Sequence, residues 1–234
     1  MEPQSFTSTI AKGKNSMINK LLFTIVLSSG LLIAPASFSA MQINSKPSIL
    51  STQRPSGLKS TVATLAYHAH IKAKKQGITR SNILTIIDYS LPSSARRLWI
   101  VDLAHNKLLR NTVVSHGAST GSLYARSFSD QPGTHKSSLG VFVTESTYNG
   151  HNGFSLRLKG LERGFNANAY SRAIVMHGAW YVKDGQRSIG RSWGCPAIPA
   201  PLAHSVINTI KGGSVVFAYY PDHNWLVHSR FLHA

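Results

Sequence analysis

The chain of 234 residues has one cysteine, Cys195, and only eight acidic residues against 25 Lys and Arg, a formal net charge of +17. One cysteine excludes an internal disulfide. In an oxidising compartment a leftover thiol is a liability unless it is buried or used. The shortage of acids draws the chain toward polyanions: nucleic acid, anionic lipid or an acidic wall polymer. The basic residues are scattered, with short groupings only at Lys72/Lys74/Lys75 and Arg96/Arg97. A nucleic-acid-reading element concentrates its charge, so no nucleic acid is expected as a partner. Long apolar runs are missing too. The longest, Leu21–Ile33, falls short of the roughly 20 residues that a spanning helix needs, so no stable membrane span is expected. The 11 histidines lack metal-like spacing with acids. His68 and His70, at i and i+2 on an expected helix, point apart. No metal and no other cofactor is expected.

What is present organises the chain. Lys12, Lys14 and Lys20 precede the apolar run, and the small residues of APASFSA follow it, with cleavage expected after Ala36 or near Ser39. Residues 1–39 therefore read as a signal peptide, with Met1 or Met17 as the start, and the mature protein is expected in the periplasm or cell envelope. Residues 40–57, polar with Pro and Gly, read as a linker. Residues 58–234 form one domain. Within it, Leu58–Gln76 has a helical period stopped by Gly77, with Ser56 as the expected N-cap. From Ile83 onward, short β-branched and aromatic runs are separated by Gly, Asn, Pro and Ser. They predict a mainly β domain of six to eight strands, a sandwich or barrel, with one short helix over Pro201–Lys211.

Three segments have the composition of a nucleophile motif. Ser56-x-x-Lys59 lacks the companion elements of penicillin-binding proteins. Gly117-Ala-Ser119-Thr-Gly121 follows a strand, but no helix-like segment comes after it, as a nucleophile elbow requires; it reads as a turn. Ser192-Trp193-Gly194-Cys195-Pro196 is different. Gly194 permits close backbone approach and unusual dihedrals, Pro196 fixes the chain beyond, and such a segment can aim successive N–H groups at an oxyanion. A nearby imidazole can hold a thiol as thiolate. His177 ends the apolar run Ala173–Met176, is followed by Gly178, and lies eighteen positions before the cysteine. The expectation is that Sγ and the imidazole meet at hydrogen-bonding range in an accessible groove. The other ring nitrogen needs an acceptor, and the first acid beyond it in sequence is Asp184.

His177-Gly178 followed by Ser192-x-Gly194-Cys195 resembles the L,D-transpeptidase catalytic domain family, in its murein L,D-transpeptidase branch. The stretches RLWIVDLAHNKLLRNTVVSHG, HKSSLGVFVT and GFSLRLKGLERGFNANAYSRAIVMHGAWYV carry the likeness alongside GRSWGCPAIP. The resemblance implies a mainly β fold with the cysteine in a cleft under a lid, and action on peptidoglycan stem peptides. It implies Cys195 as nucleophile, His177 as proton carrier and the Gly178 carbonyl as its orienting acceptor. Gly194 and Cys195 N–H groups would form the oxyanion hole. Ser192, Trp193, Arg191 and His135 would line the substrate cleft. The reaction implied is release of D-alanine from a tetrapeptide stem through a thioester, then transfer to an amine to give a 3–3 cross-link, with carbapenems acylating the same thiol. Hydrolysis of the same bond by an L,D-carboxypeptidase, or a silent basic wall-binding module, are the alternatives. Two positions depart from the family pattern: Trp193 stands where many members have His, and Pro196-Ala197 where many carry Arg. Arg191, Arg187 and Arg157 are the candidates to hold substrate carboxylates instead. Oligomeric state is not legible in the sequence.

Overall fold

The computed structural model describes residues 46–233. The signal-peptide reading of residues 1–39 lies outside the described residues, as does the first part of the segment read as a linker. The remainder of that segment carries a single 3-10 turn, Ser48–Leu50, whose Ile49 and Leu50 are buried in the main core.

Eight strands follow the first helix: β1 (Ile83–Asp88), β2 (Leu98–Asp102), β3 (Lys107–Thr112), β4 (Gly140–Gly150), β5 (Gly153–Gly160), β6 (Val175–Ala179), β7 (Ala197–Pro199) and β8 (Val215–Tyr219). They form one sheet in the order β3-β2-β1-β8-β4-β5-β6-β7. The expected count and the mainly β class hold. Two pairs are parallel, β1 with β8 and β6 with β7, and the rest are antiparallel. The sheet curls until its ends nearly meet. Ser115 N, just past β3, donates to the Ala197 carbonyl of β7 at 2.8 Å, and Ala118 N donates to the Ser192 carbonyl at 2.6 Å. This seam between the two ends carries the cysteine segment.

The helices fill and cover the curled sheet. α1 (Ser60–Lys75) packs on β1 and β8 through Val62, Ala63, Ala66, Ala69 and Ala73; these small side chains allow close approach. Its cationic last turn suits the negative end of the helix dipole. Its N-cap is Lys59, with no side-chain cap. Ser56 instead offers its carbonyl to Trp99 Nε1 at 3.3 Å, so the expected Ser56 cap is corrected. α2 (Ala203–Ile210) buries Ala203, Val206, Ile207 and Ile210, the i, i+3, i+4, i+7 stripe of an amphipathic helix. It touches β1 as well as the adjacent pair β5 and β6, from which β1 is separated in the sheet by β8 and β4, because the sheet wraps around it. α3 (His223–His228) is capped by Asp222, whose side chain accepts from Trp225 N at 2.8 Å. Buried Glu162 ties α3 to β4 by accepting from Val141 N at 2.6 Å, from Trp225 Nε1 and from Ser229 Oγ.

One register irregularity shapes the cavity described below. In the β4–β5 hairpin, Thr144 pairs with Leu158 but Thr147 with Leu156, so β4 carries an extra residue. Such a bulge bends and twists a hairpin. The hairpin tip, Tyr148, His151 and Asn152, reaches the cavity that holds Cys195.

Candidate active site

His177 lies on β6, between Ser155 of β5 and Ala197 of β7. It is 4% exposed. Its Nδ1 lies 2.9 Å from the Gly178 carbonyl. A carbonyl only accepts, so Nδ1 carries the proton and Nε2 keeps its lone pair. Asp184 takes no part in this; it pairs with Arg96 instead. Gly178 itself is required by packing: a Cβ there would lie 2.8 Å from Ala203 Cβ and 3.0 Å from Ala200 Cα.

The cysteine segment is pinned by serines. Ser192 Oγ donates to the Cys195 carbonyl at 2.7 Å and accepts from Gly194 N at 3.2 Å. Ser137 Oγ donates to the Gly194 carbonyl at 3.1 Å, and Ser115 Oγ accepts from Ala197 N at 3.1 Å. Gly194 has φ +118, and a Cβ there would meet the Lys136 carbonyl at 2.7 Å and Ile174 Cδ1 at 2.9 Å. Only glycine suits both demands. The expected pair of oxyanion donors is reduced by this arrangement, because Gly194 N–H is already engaged by Ser192. Among the described residues, Cys195 N–H has no protein partner.

The thiol donates to the Ala173 carbonyl at 3.7 Å and accepts from Val175 N at 3.4 Å. Ala173 is left-handed, φ 53, at the turn into β6. For a residue with a Cβ that is a strained conformation, and here it presents its carbonyl to sulfur. No hydrogen bond joins Sγ to the imidazole among the described residues. The two share one cavity of about 460 Å³, lined also by Tyr148, Arg172, Tyr181 and Arg191.

Arg172 was not singled out in sequence. Its guanidinium, 3% exposed, donates to the Ser129 carbonyl and Ser138 Oγ, both at 2.7 Å, and to the Lys136 carbonyl at 2.8 Å. Asp130 lies 4.0 Å away. The Lys136 carbonyl that it holds is the one against which Gly194 packs. Nothing local marks this arginine, because its partners lie 34 to 43 positions away. Ser115 and Ser137 were missed for the same reason.

The other expected residues divide. Arg191 lines the cavity, its guanidinium held over Trp180 at 5.1 Å and Tyr181 at 5.3 Å. Trp193 and Ser192 also line it. Arg187 and Arg157 do not; Arg157 sits over Tyr148 at 4.4 Å and Tyr170 at 5.7 Å. His135 stacks on Trp193, centroids 4.7 Å apart and planes within 10°, and is not itself a lining residue. Gly117–Gly121 forms a 3-10 turn at Ala118–Thr120, in keeping with its reading as a turn. Among the described residues no cluster of three metal-ligating side chains occurs.

Burial sets the protonation states. It pushes the Cys195 thiol up, against the Val175 N–H and the Arg172 charge, which pull it down. It pushes His177 down, against its Gly178 hydrogen bond. The resting pair at neutral pH is therefore thiol and neutral imidazole rather than the expected thiolate, since burial disfavours both charges. A raised thiol pKa leaves the reactive form scarce at neutral pH and lets it accumulate as pH rises. Alkylation of Cys195 by iodoacetamide should accordingly climb with a midpoint above that of a free cysteine, about 8.5. A plateau already reached at pH 7 would contradict this.

A curled β sheet carrying a cysteine and a histidine on one basic cavity at its seam defines the class. The model of the L,D-transpeptidase catalytic domain matches residues 54–219, and the chain belongs to that family. Similar solved structures include an L,D-transpeptidase in complex with imipenem (12% identity, 59% of this chain and 59% of that one, TM-score 0.39). An L,D-transpeptidase from Mycobacterium smegmatis is 13% identical over 60% of this chain and 59% of that one, TM-score 0.38. The helical cell shape determining protein from Campylobacter jejuni is 13% identical over 66% and 56%, TM-score 0.39. The chain spans less than two thirds of the length of each of the three. No curated protein matches it.

Proposed function

We propose that the protein is an exported peptidoglycan L,D-transpeptidase that acts by covalent catalysis at Cys195. The observation that carries this reading is the shared cavity: a half-buried thiol, an imidazole whose Nε2 is left free by the Nδ1–Gly178 bond, and two arginines with no carboxylate in the lining. The step asks the Cys195 side chain to turn from the Ala173 carbonyl toward Nε2 of His177. His177 takes the thiol proton as sulfur attacks the carbonyl on the L-centre of the third stem residue. The Cys195 N–H stabilises the oxyanion. The C–N bond to D-alanine breaks, the His177 proton goes to the leaving amine, and a thioester remains. An amine of a second stem then attacks, loses its proton to His177, and expels the thiolate, giving a 3–3 cross-link. Arg191, held flat by two rings, receives substrate carboxylate. The family and the charge of the chain support an extracytoplasmic location, with residues 1–39 as the export signal.

Incubating the purified domain with disaccharide-tetrapeptides tests the reading. A dimer with loss of one D-alanine is the expected product. Tripeptide alone would assign an L,D-carboxypeptidase, and no turnover with no thioester mass would leave a wall-binding module.

A further inference from the structure

Two of the four tryptophans build the core: Trp99 and Trp225 are fully buried. The other two stand in solvent, Trp180 at 70% and Trp193 at 73% exposed; Trp193 lines the Cys195 cavity, and Trp180 packs against Arg191 and Tyr181, which line it. Neither ring hangs loose. Trp193 has one face stacked on His135, leaving the other open. Trp180 has the Arg191 guanidinium over its ring and Tyr181 edge-on at 5.8 Å and 86°. Trp193 and Arg191 belong to the cavity wall, so the aromatic rim is continuous with the thiol site. Ordered aromatic faces left in water beside a concave site mark a ligand contact.

We infer that Trp180 and Trp193 form a stacking platform for the glycan strand from which the stem peptides hang. The inference rests on the proposed function, because the cavity takes the stem and its mouth must then meet what carries the stem. A pyranose ring presents a flat C–H face to an indole, and the carbonyl oxygens of its acetamido group and of the amide that joins it to the stem can accept from the neighbouring arginine. A peptide partner would bring carboxylates to the arginines but no flat saturated rings to the indoles. An anionic membrane would need the rings on a convex face, whereas these edge a hollow.

The test uses Cys195→Ala protein, so that binding is read without chemistry. Three probes are titrated against tryptophan fluorescence: peptide-free glycan strands, a free tetrapeptide stem, and vesicles of anionic phospholipid. The glycan should bind, and Trp180→Ala in the same background should weaken it by about ten-fold or more, the usual scale for truncating a central interface tryptophan. Trp180→Phe should restore most of the loss, and thermal melting should show both variants folded. Failure of peptide-free glycan to bind, equal binding by Trp180→Ala, or binding of vesicles in its place would overturn the platform. Those outcomes leave the thioester and cross-linking assays untouched, so the two readings fail separately.

Discussion

Cys195→Ala should form no covalent adduct with a carbapenem or a tetrapeptide donor, and His177→Ala should slow adduct formation by roughly 10²–10⁴-fold, the range for losing a positioned acid–base group. Intact-mass time courses read both. The size of the histidine effect follows from the protonation states. With the thiol pushed up by burial, neutral pH supplies little thiolate, so attack depends on Nε2 accepting the proton as the bond forms. Raising the pH should therefore rescue His177→Ala more than it speeds the wild type, because hydroxide then supplies the thiolate. Equal rates for His177→Ala and wild type at pH 7 would remove the imidazole from the mechanism. A persistent adduct in Cys195→Ala would move the nucleophile elsewhere.

Arg172→Met should cost about 3–5 kcal/mol of unfolding free energy, the scale for breaking a buried charged pair. The substitution strands the Ser129 and Lys136 carbonyls and leaves Asp130 without its cation. Urea unfolding measures the loss. A second readout separates structure from electrostatics. Because the Arg172 charge pulls the thiol pKa down, Arg172→Met should move the alkylation curve of Cys195 further alkaline. Arg172→Lys keeps a charge but loses the planar fork, so it should restore the curve more than the stability. An unchanged thiol curve in folded Arg172→Met would reduce this arginine to a brace.

These two predictions also divide what sequence could and could not show. His177 and Cys195 were legible because each sits beside a residue with a backbone task, Gly178 against α2 and Gly194 at a dihedral few other residues tolerate. Seven strands announced themselves by β-branched and aromatic runs. β7 did not, since three residues ending in proline have no period to read, and α3 is only six residues long. Arg172, Ser115 and Ser137 were invisible for a topological reason: their partners are brought to them only when the sheet closes. The thiolate expectation went astray because burial, which disfavours charge on both partners, is a property of the packed cavity. That Arg191 lines the cavity while Arg187 and Arg157 do not was likewise illegible, because it depends on the folded positions of Trp180 and Tyr181 beneath its guanidinium.

The seam has a last consequence. An open sheet ends in strands whose unpaired amides can recruit a neighbouring molecule and seed fibrils. Here the bonds from Ser115 and Ala118 to Ala197 and Ser192 occupy part of both margins. The same few bonds that hold the cysteine segment in place thus also blunt self-association, so a substitution that loosens that segment would threaten solubility as well as the proposed turnover.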